Sequence, residues 1–193
     1  YSNVRVDVHG SEHLQSGQSY VIVANHLSQF DIFVLYGYLE VDFRWVMKHE
    51  LRRMPVIGIC CEKLGHIFIN RSDTQAAIAS LNQARTRLAN GASVLFFPEG
   101  TRSRTGQIKP FKKGAFKMAQ ELQLPVLPVT LTGTFEILPP GTVRLRPGQH
   151  AQITLHPAIV PVGSSEAELV QLIHQSQTAI AAPLGEACPQ LSL

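Results

Sequence analysis

The stretch SYVIVANHLSQFDIFVLYGYL, residues 19–39, contains one complete strand, loop and helix, and it decides the fold class. Residues 19–24 are a short apolar run, which is typical of a strand buried on both faces of a sheet. Ser28 followed by Asp31 predicts the start of a helix, and residues 32–39 provide its apolar body. A buried strand that leads directly into a helix is the building unit of an α/β domain.

The same alternation continues along the chain. Strands are predicted over residues 43–47, 66–70, 93–97 and 126–132, and helices over residues 72–90 and 112–122. Because helices separate most successive strands, the strands are expected to be mainly parallel. We therefore predict a single layered α/β domain over residues 1–193, with a mostly parallel central sheet flanked by helices.

The C-terminal part is predicted to add a hairpin and one more helix. Residues 143–146 and 151–156 alternate between apolar and polar side chains on either side of Pro147-Gly148, which predicts a short hairpin. Ser165 and Glu168 form a capping box for an amphipathic helix that runs to about Ala181.

Composition excludes some classes of function. The formal net charge is +3, from 17 basic and 14 acidic residues. This charge is small compared with the concentrated basic surface of nucleic-acid-binding proteins, so nucleic acid is not an expected partner. The three cysteines include the adjacent pair Cys60-Cys61, which predicts neither a disulfide framework nor a metal site and favours a reducing, cytoplasmic compartment.

Three polar clusters follow predicted strands. They are residues 25–31, 70–71 and 99–104. Because the carboxyl ends of parallel strands meet at one edge of a sheet, side chains far apart in sequence are expected to converge there.

The first cluster places His26 and Asp31 on a loop and the helix that follows it. A carboxylate on one imidazole nitrogen fixes the tautomer and leaves the other nitrogen to accept a proton, so the pair is a candidate general base. Alternatively, Asp31 only complements the helix dipole and His26 is an ordinary loop residue.

The third cluster, FPEGTRSR at residues 97–104, combines a glycine, a hydroxyl and two guanidinium groups. Arginine side chains bind phosphate oxygens in a bidentate manner, so this segment is a candidate phosphate site. An exposed basic turn would also explain the arginines, but not Glu99 directly after Phe-Phe-Pro. Arg71 either joins this site or is a solvated charge before the next helix.

Taken together, these segments resemble the glycerolipid acyltransferase family, which includes the 1-acyl-sn-glycerol-3-phosphate (lysophosphatidic acid) acyltransferases. Four blocks in the family's order carry the resemblance: NHLSQFD (25–31), GHIFINR (65–71), FPEGTRS (97–103) and VLPVTLTGT (126–134). The resemblance implies that His26 and Asp31 are the catalytic pair. It places the contacts to the acceptor phosphate on Arg71, Glu99, Gly100, Thr101 and Arg102, and it implies no metal and no cofactor.

The implied reaction transfers a fatty acyl group from acyl-CoA or an acyl carrier protein to the free hydroxyl of 1-acylglycerol-3-phosphate, giving phosphatidic acid. Acylation of glycerol-3-phosphate or another lysophospholipid, a hydrolase, and a non-catalytic module that binds anionic lipids remain alternatives. Since the acceptor is a lipid, we expect the chain to work at the cytoplasmic face of a membrane. It would attach there peripherally or through a segment outside this sequence, because no apolar run reaches the roughly 20 residues of a membrane span. Residues 30–38 and 55–59 are the expected contact segments.

Overall fold

The computed structural model describes residues 3–69 and 91–189 and contains one seven-stranded sheet. The strands are β1 (Arg5–His9), β2 (Val21–Ala24), β3 (Phe43–Lys48), β4 (Ile67–Ile69), β5 (Ser93–Phe96), β6 (Val126–Thr132) and β7 (His150–Leu155). Their order across the sheet is β1-β7-β6-β2-β5-β3-β4. Every pairing among these described strands is parallel except that of β6 with β7. The predicted mostly parallel sheet is confirmed.

Five α-helices lie among the described residues. They are α1 (Phe30–Tyr38), α2 (Ile57–Lys63), α3 (Gly114–Leu122), α4 (Thr134–Ile137) and α5 (Glu166–Ala181). Short 3₁₀ turns span Ser11–His13, His49–Arg53 and Ala182–Leu184. The predicted capping box of the last helix is confirmed, because Ser165 and Glu168 bond reciprocally at its start. None of the described helices is long and apolar enough to cross a bilayer.

The core has two layers because β2 alternates its side chains across the sheet. Val21 and Val23 pack with the buried faces of α3 and α5, whereas Ile22 and Ala24 pack with α1 and α4. All four residues of β2 are fully buried, as expected for a central strand of a sheet covered on both faces. The sheet therefore holds the carboxyl end of β2 rigidly.

The hairpin predicted across Pro147-Gly148 is wrong. Residues 143–146 form no strand, and the side chain of Val143 is 100% exposed. The second predicted strand does exist as β7, but both of its edges are occupied, by β1 in parallel and β6 in antiparallel orientation. No edge of β7 is left for residues 143–146 to pair with, so they form an exposed connection.

Two other elements differ from the prediction. Helix α2 was not predicted, because a seven-residue helix between Pro55 and Gly65 is too short to show helical periodicity. Strand β1 was also not predicted, and it extends the sheet beyond β7. The predicted helix over residues 72–90 and the cluster at residues 70–71 lie outside the described residues.

Candidate active site

Two of the predicted polar clusters meet at one edge of the sheet. β2 and β5 are parallel neighbours, with Val23 opposite Phe96, so the residues that follow each strand emerge side by side. They line a cleft of about 840 Å³. The lining residues of this catalytic cleft are His26, Val46, Met47, Lys48, Leu51, Phe97, Gly100, Thr101, Arg102, Ser103, Arg104, Pro140 and Gly141. The expected convergence of the first and third clusters is therefore seen in the structure.

His26 and Asp31 are in direct contact. The imidazole Nδ1 lies 2.8 Å from Asp31 Oδ2. A carboxylate only accepts hydrogen bonds, so Nδ1 carries the proton and donates it, and the lone pair is on Nε2. Nε2 has no hydrogen-bond partner among residues 3–69 and 91–189, and His26 lines the cleft. Nε2, the ring nitrogen that can accept a proton, is therefore available to a substrate in the cleft.

The loop between β2 and α1 holds the Asp31 carboxylate in place. Asp31 Oδ2 also accepts the backbone N–H groups of Leu27 and Ser28, at 2.8 and 2.9 Å. The carboxylate lies in the first turn of α1, where the helix dipole stabilises negative charge. The helix start predicted from Ser28 and Asp31 lies close to the observed one: α1 begins at Phe30, and Ser28 Oγ accepts the N–H of Phe30.

Aromatic packing fixes the imidazole plane. The His26 ring stacks on Phe97 with centroids 3.8 Å apart and planes within 5° of parallel. Phe97 in turn packs against Trp45, at a centroid distance of 5.2 Å. Only 14% of the His26 side chain is exposed. The ring is therefore supported on one face and held at one edge, which limits it to a narrow range of orientations.

Asn25 anchors the start of the catalytic loop. Its side-chain amide donates to the carbonyl of Leu131 at 2.8 Å, and its Oδ1 accepts the Leu131 N–H at 2.7 Å. The amide thus imitates a backbone pairing and continues the contact between β2 and β6 past the last strand residue. This role was not predicted, although an asparagine directly after a buried strand is a signal that could have indicated it.

Glu99 joins the two loops at the site. Its carboxylate is buried, with 3% of the residue exposed. One oxygen accepts the backbone N–H of His26 at 2.7 Å, and the other accepts that of Lys109 at 3.1 Å. Burial raises the pKa of the Glu99 carboxyl to about 7, and the two backbone hydrogen bonds act in the opposite direction.

The contact predicted between Glu99 and the acceptor phosphate stays a prediction. Glu99 does not line the catalytic cleft, and both of its oxygens are already engaged by backbone N–H groups. In this structure the Glu99 carboxylate holds the backbone at His26 and Lys109.

The other predicted phosphate-binding residues that the structure describes do line the cleft. They are Gly100, Thr101 and Arg102. Gly100 has a φ of +78°, a conformation that favours glycine and that turns the loop over the cleft. The predicted contact from Arg71 lies outside the described residues. Arg104, the second guanidinium of the predicted phosphate segment, lines the cleft as well. A further cation at the cleft, Lys48, was not assigned a role, and its position at the carboxyl end of β3 was the available signal.

An apolar groove of about 690 Å³ adjoins the cleft. It is lined by Gln29, Phe30, Phe33, Arg102, Leu138, Gly141, Thr142, Val143 and Leu145. Arg102 and Gly141 line both cavities, so the groove and the cleft share a wall. A hydrocarbon chain in the groove would therefore be close to a polar group bound in the cleft.

Comparison with known proteins agrees with this geometry. The chain is 39% identical over 182 residues to a 1-acyl-sn-glycerol-3-phosphate acyltransferase of Chlamydomonas reinhardtii, which covers 93% of this chain and 53% of that protein. It is 37% identical over 130 residues to the human 1-acyl-sn-glycerol-3-phosphate acyltransferase alpha, covering 67% of this chain and 46% of that protein. The chain thus spans about half the length of the curated relatives it matches.

A solved structure supports the same relationship. The crystal structure of the 1-acyl-sn-glycerophosphate acyltransferase PlsC from Thermotoga maritima superposes with a TM-score of 0.76 at 31% identity, covering 95% of this chain and 73% of that one. The family model described as Acyltransferase matches residues 5–132, which include His26, Asp31 and the segment from Glu99 to Arg102. Since this match covers more than half of the sequence and contains most of the residues that line the cleft, the protein belongs to the acyltransferase family.

Proposed function

We propose that this protein transfers a fatty acyl group from an acyl thioester to the free hydroxyl of 1-acylglycerol-3-phosphate, giving phosphatidic acid. The observation that carries the proposal is the contact between His26 Nδ1 and Asp31 Oδ2, which leaves Nε2 unpaired by any described residue in a cleft bordered by arginines. The names of the relatives support the choice of acceptor.

The reaction needs no acyl-enzyme. His26 Nε2 takes the proton of the acceptor hydroxyl while the hydroxyl oxygen attacks the thioester carbonyl carbon. The tetrahedral intermediate then collapses, the carbon–sulfur bond breaks, and the departing thiolate receives the proton from the imidazolium. Asp31 keeps the imidazole in the required tautomer and stabilises the imidazolium that forms in between.

The acceptor fits the two adjoining cavities. Its phosphate would lie near Thr101, Arg102 and Arg104, where the guanidinium groups provide charge-assisted hydrogen bonds. Its acyl chain would lie in the apolar groove that shares Arg102 with the cleft. Arg71 stays a predicted contributor to phosphate binding.

A thiol-release assay tests the proposed function. The chain is mixed with a long-chain acyl-CoA or acyl carrier protein and lysophosphatidic acid, and both free thiol and phosphatidic acid are measured. We expect the two products in equal amounts, with no thiol released when the acceptor is omitted. Thiol release without acceptor would identify a hydrolase, and absence of thiol with every donor would leave a module that only binds lipid. Glycerol-3-phosphate and other lysophospholipids as competing acceptors test the alternative substrates.

Replacing Arg102 with alanine should weaken acceptor binding. Loss of one charge-assisted contact to phosphate should raise the KM for lysophosphatidic acid by about tenfold. The KM for the acyl donor should change much less. Arg5→Ala, which removes an exposed arginine from edge strand β1, is the matched control and should have no effect. Equal acceptor KM values for the Arg102→Ala and control proteins would overturn the phosphate assignment.

We also propose that the segment from His49 to Leu64 contacts the membrane that holds the acceptor. Several of its apolar side chains are exposed, namely Met54, Val56, Ile57, Ile59 and Leu64. Lys48 and Leu51, at its start, line the catalytic cleft, so this surface lies beside the cleft entrance. Arg52 is paired with Glu62, but Arg53 and Lys63 add positive charge next to the apolar side chains, which favours an anionic bilayer.

Vesicle flotation with anionic phospholipid tests this contact. Ile59 is 60% exposed, and we expect Ile59→Glu to reduce the vesicle-bound fraction several-fold, because a carboxylate replaces an inserting apolar group. Val162 is 74% exposed outside this segment, and Val162→Glu should leave binding unchanged. If both variants float like the original chain, the segment is not the contact surface.

A further inference from the structure

A third cavity, of about 490 Å³, lies beside the catalytic cleft and is rich in lysine. It is lined by Glu99, Thr101, Lys109, Pro110, Phe111, Lys112 and Lys113. Thr101 also lines the catalytic cleft, so the two cavities are separated only by the loop at residues 100–101. The proposed chemistry at His26 makes no use of this lysine cavity.

Two backbone contacts hold the lysine segment against that loop. The N–H of Lys112 donates to the carbonyl of Pro98 at 2.9 Å, and the N–H of Lys109 donates to the Glu99 carboxylate. The Lys112 side chain lies over Gly100. A Cβ atom at that position would be only 2.9 Å from Lys112 Nζ. The cavity is therefore formed by ordered main chain, and Lys109 and Lys112 are held near the loop at residues 100–101.

The three lysines of the cavity differ in how their charges are compensated. Lys113 is paired with Glu166 at 2.6 Å, and Lys109 Nζ donates to the carbonyl of Arg102 at 2.8 Å. The ammonium of Lys112 has no carboxylate partner in the described part of the chain. Among the described residues, Glu99 supplies the only carboxylate that lines the cavity, and its oxygens are occupied by backbone N–H groups. A ligand for this cavity is expected to be an anion with several acceptor oxygens, such as a phosphate.

We propose that the lysine cavity binds a phosphate group of the acyl donor's carrier, with Lys112 as its principal contact. This inference rests on the proposed function. Arg102 and Arg104, the candidates for the acceptor phosphate, line the catalytic cleft and not this cavity, so a second phosphate has a separate place on the other side of residues 100–101. Coenzyme A and the phosphopantetheine arm of an acyl carrier protein both carry a phosphate on the chain that ends in the reacting thiol. An anion bound here would thus orient the thioester toward the loop that the two cavities share.

The test compares donors with and without phosphate. Acyl-CoA and acyl-pantetheine carry the same thioester, and acyl-pantetheine lacks every phosphate. Lys112→Ala should raise the KM for acyl-CoA by about tenfold and leave the KM for acyl-pantetheine and for lysophosphatidic acid unchanged. Lys112→Arg, which keeps the charge, should restore most of the affinity for acyl-CoA. Lys117→Ala removes the same charge from α3 outside the cavity and should behave like the original chain.

A binding measurement provides a readout apart from turnover. In calorimetry, coenzyme A should bind the original chain more tightly than pantetheine does, and Lys112→Ala should abolish this difference. If Lys112→Ala raised the KM for lysophosphatidic acid and left the KM for acyl-CoA unchanged, the cavity would belong to the acceptor and the inference would be overturned. Unchanged values in a folded variant would also overturn it. Activity of the original chain with acyl-pantetheine shows that the proposed acyl transfer takes place even if the inference about Lys112 fails. If the proposed function itself were wrong, no donor would react.

Discussion

His26→Ala should lower kcat for acyl transfer by about a hundred- to ten-thousandfold, the range that general-base assistance usually contributes. His26 is the only histidine among the described residues that line the cleft, so the variant has no substitute for Nε2. The KM for acyl-CoA should change little, because the imidazole is proposed to act on the acceptor hydroxyl. Steady-state thiol release with lysophosphatidic acid measures both parameters.

A second histidine pair provides the control for this result. His150 Nε2 lies 2.8 Å from Asp7 Oδ2 on the exposed surface of β7 and β1, away from the catalytic cleft. His150→Ala removes the same type of contact and should retain full activity. Thermal unfolding of both variants checks that each is folded, since His26 also stacks on Phe97. Near-normal acyl transfer by a folded His26→Ala protein would rule out the proposed mechanism.

Asp31→Asn should also cause a large loss of kcat, of about a hundredfold or more. A single oxygen, Oδ2, receives the contacts from His26 Nδ1, Leu27 N–H and Ser28 N–H. An asparagine can present its amide oxygen at the same place, so the loop geometry should be kept. What is lost is the negative charge beside the imidazolium, and with it the stabilisation of the transition state.

The measurements for Asp31→Asn separate charge from geometry. We expect a folded protein with nearly unchanged KM values and a strongly reduced kcat. Asp7→Asn, in the exposed pair with His150, is the matched control and should be neutral. If Asp31→Asn kept its kcat, the carboxylate would serve only the start of α1, which is the alternative that the sequence left open.

The sequence predicted the parts of the site that depend on local pattern. The apolar run before Asn25 placed β2, and the apolar run before Pro98 placed β5. Parallel pairing of two such strands then brings their carboxyl ends together, so the shared edge with His26 followed from chain pattern and sheet geometry alone.

The parts that the sequence did not predict depend on contacts between distant residues. Asn25 contacts the backbone of Leu131, and Glu99 contacts the backbone of His26 and Lys109. A motif shows that Glu99 is present, but not that its carboxylate turns away from the cleft. The false hairpin at residues 143–146 has the same origin, because alternation of side chains does not reveal that β1 already occupies the other edge of β7.

The Glu99 carboxylate joins the backbone at His26 to the backbone at Lys109. A small displacement of the lysine segment would therefore reach the main chain that carries the imidazole through hydrogen bonds of 3.1 and 2.7 Å. A ligand in the lysine cavity could in this way change the orientation of the His26 imidazole in the catalytic cleft, without direct contact between the two substrates. Efforts to change donor preference at residues 109–113 should accordingly be expected to alter turnover as well as affinity.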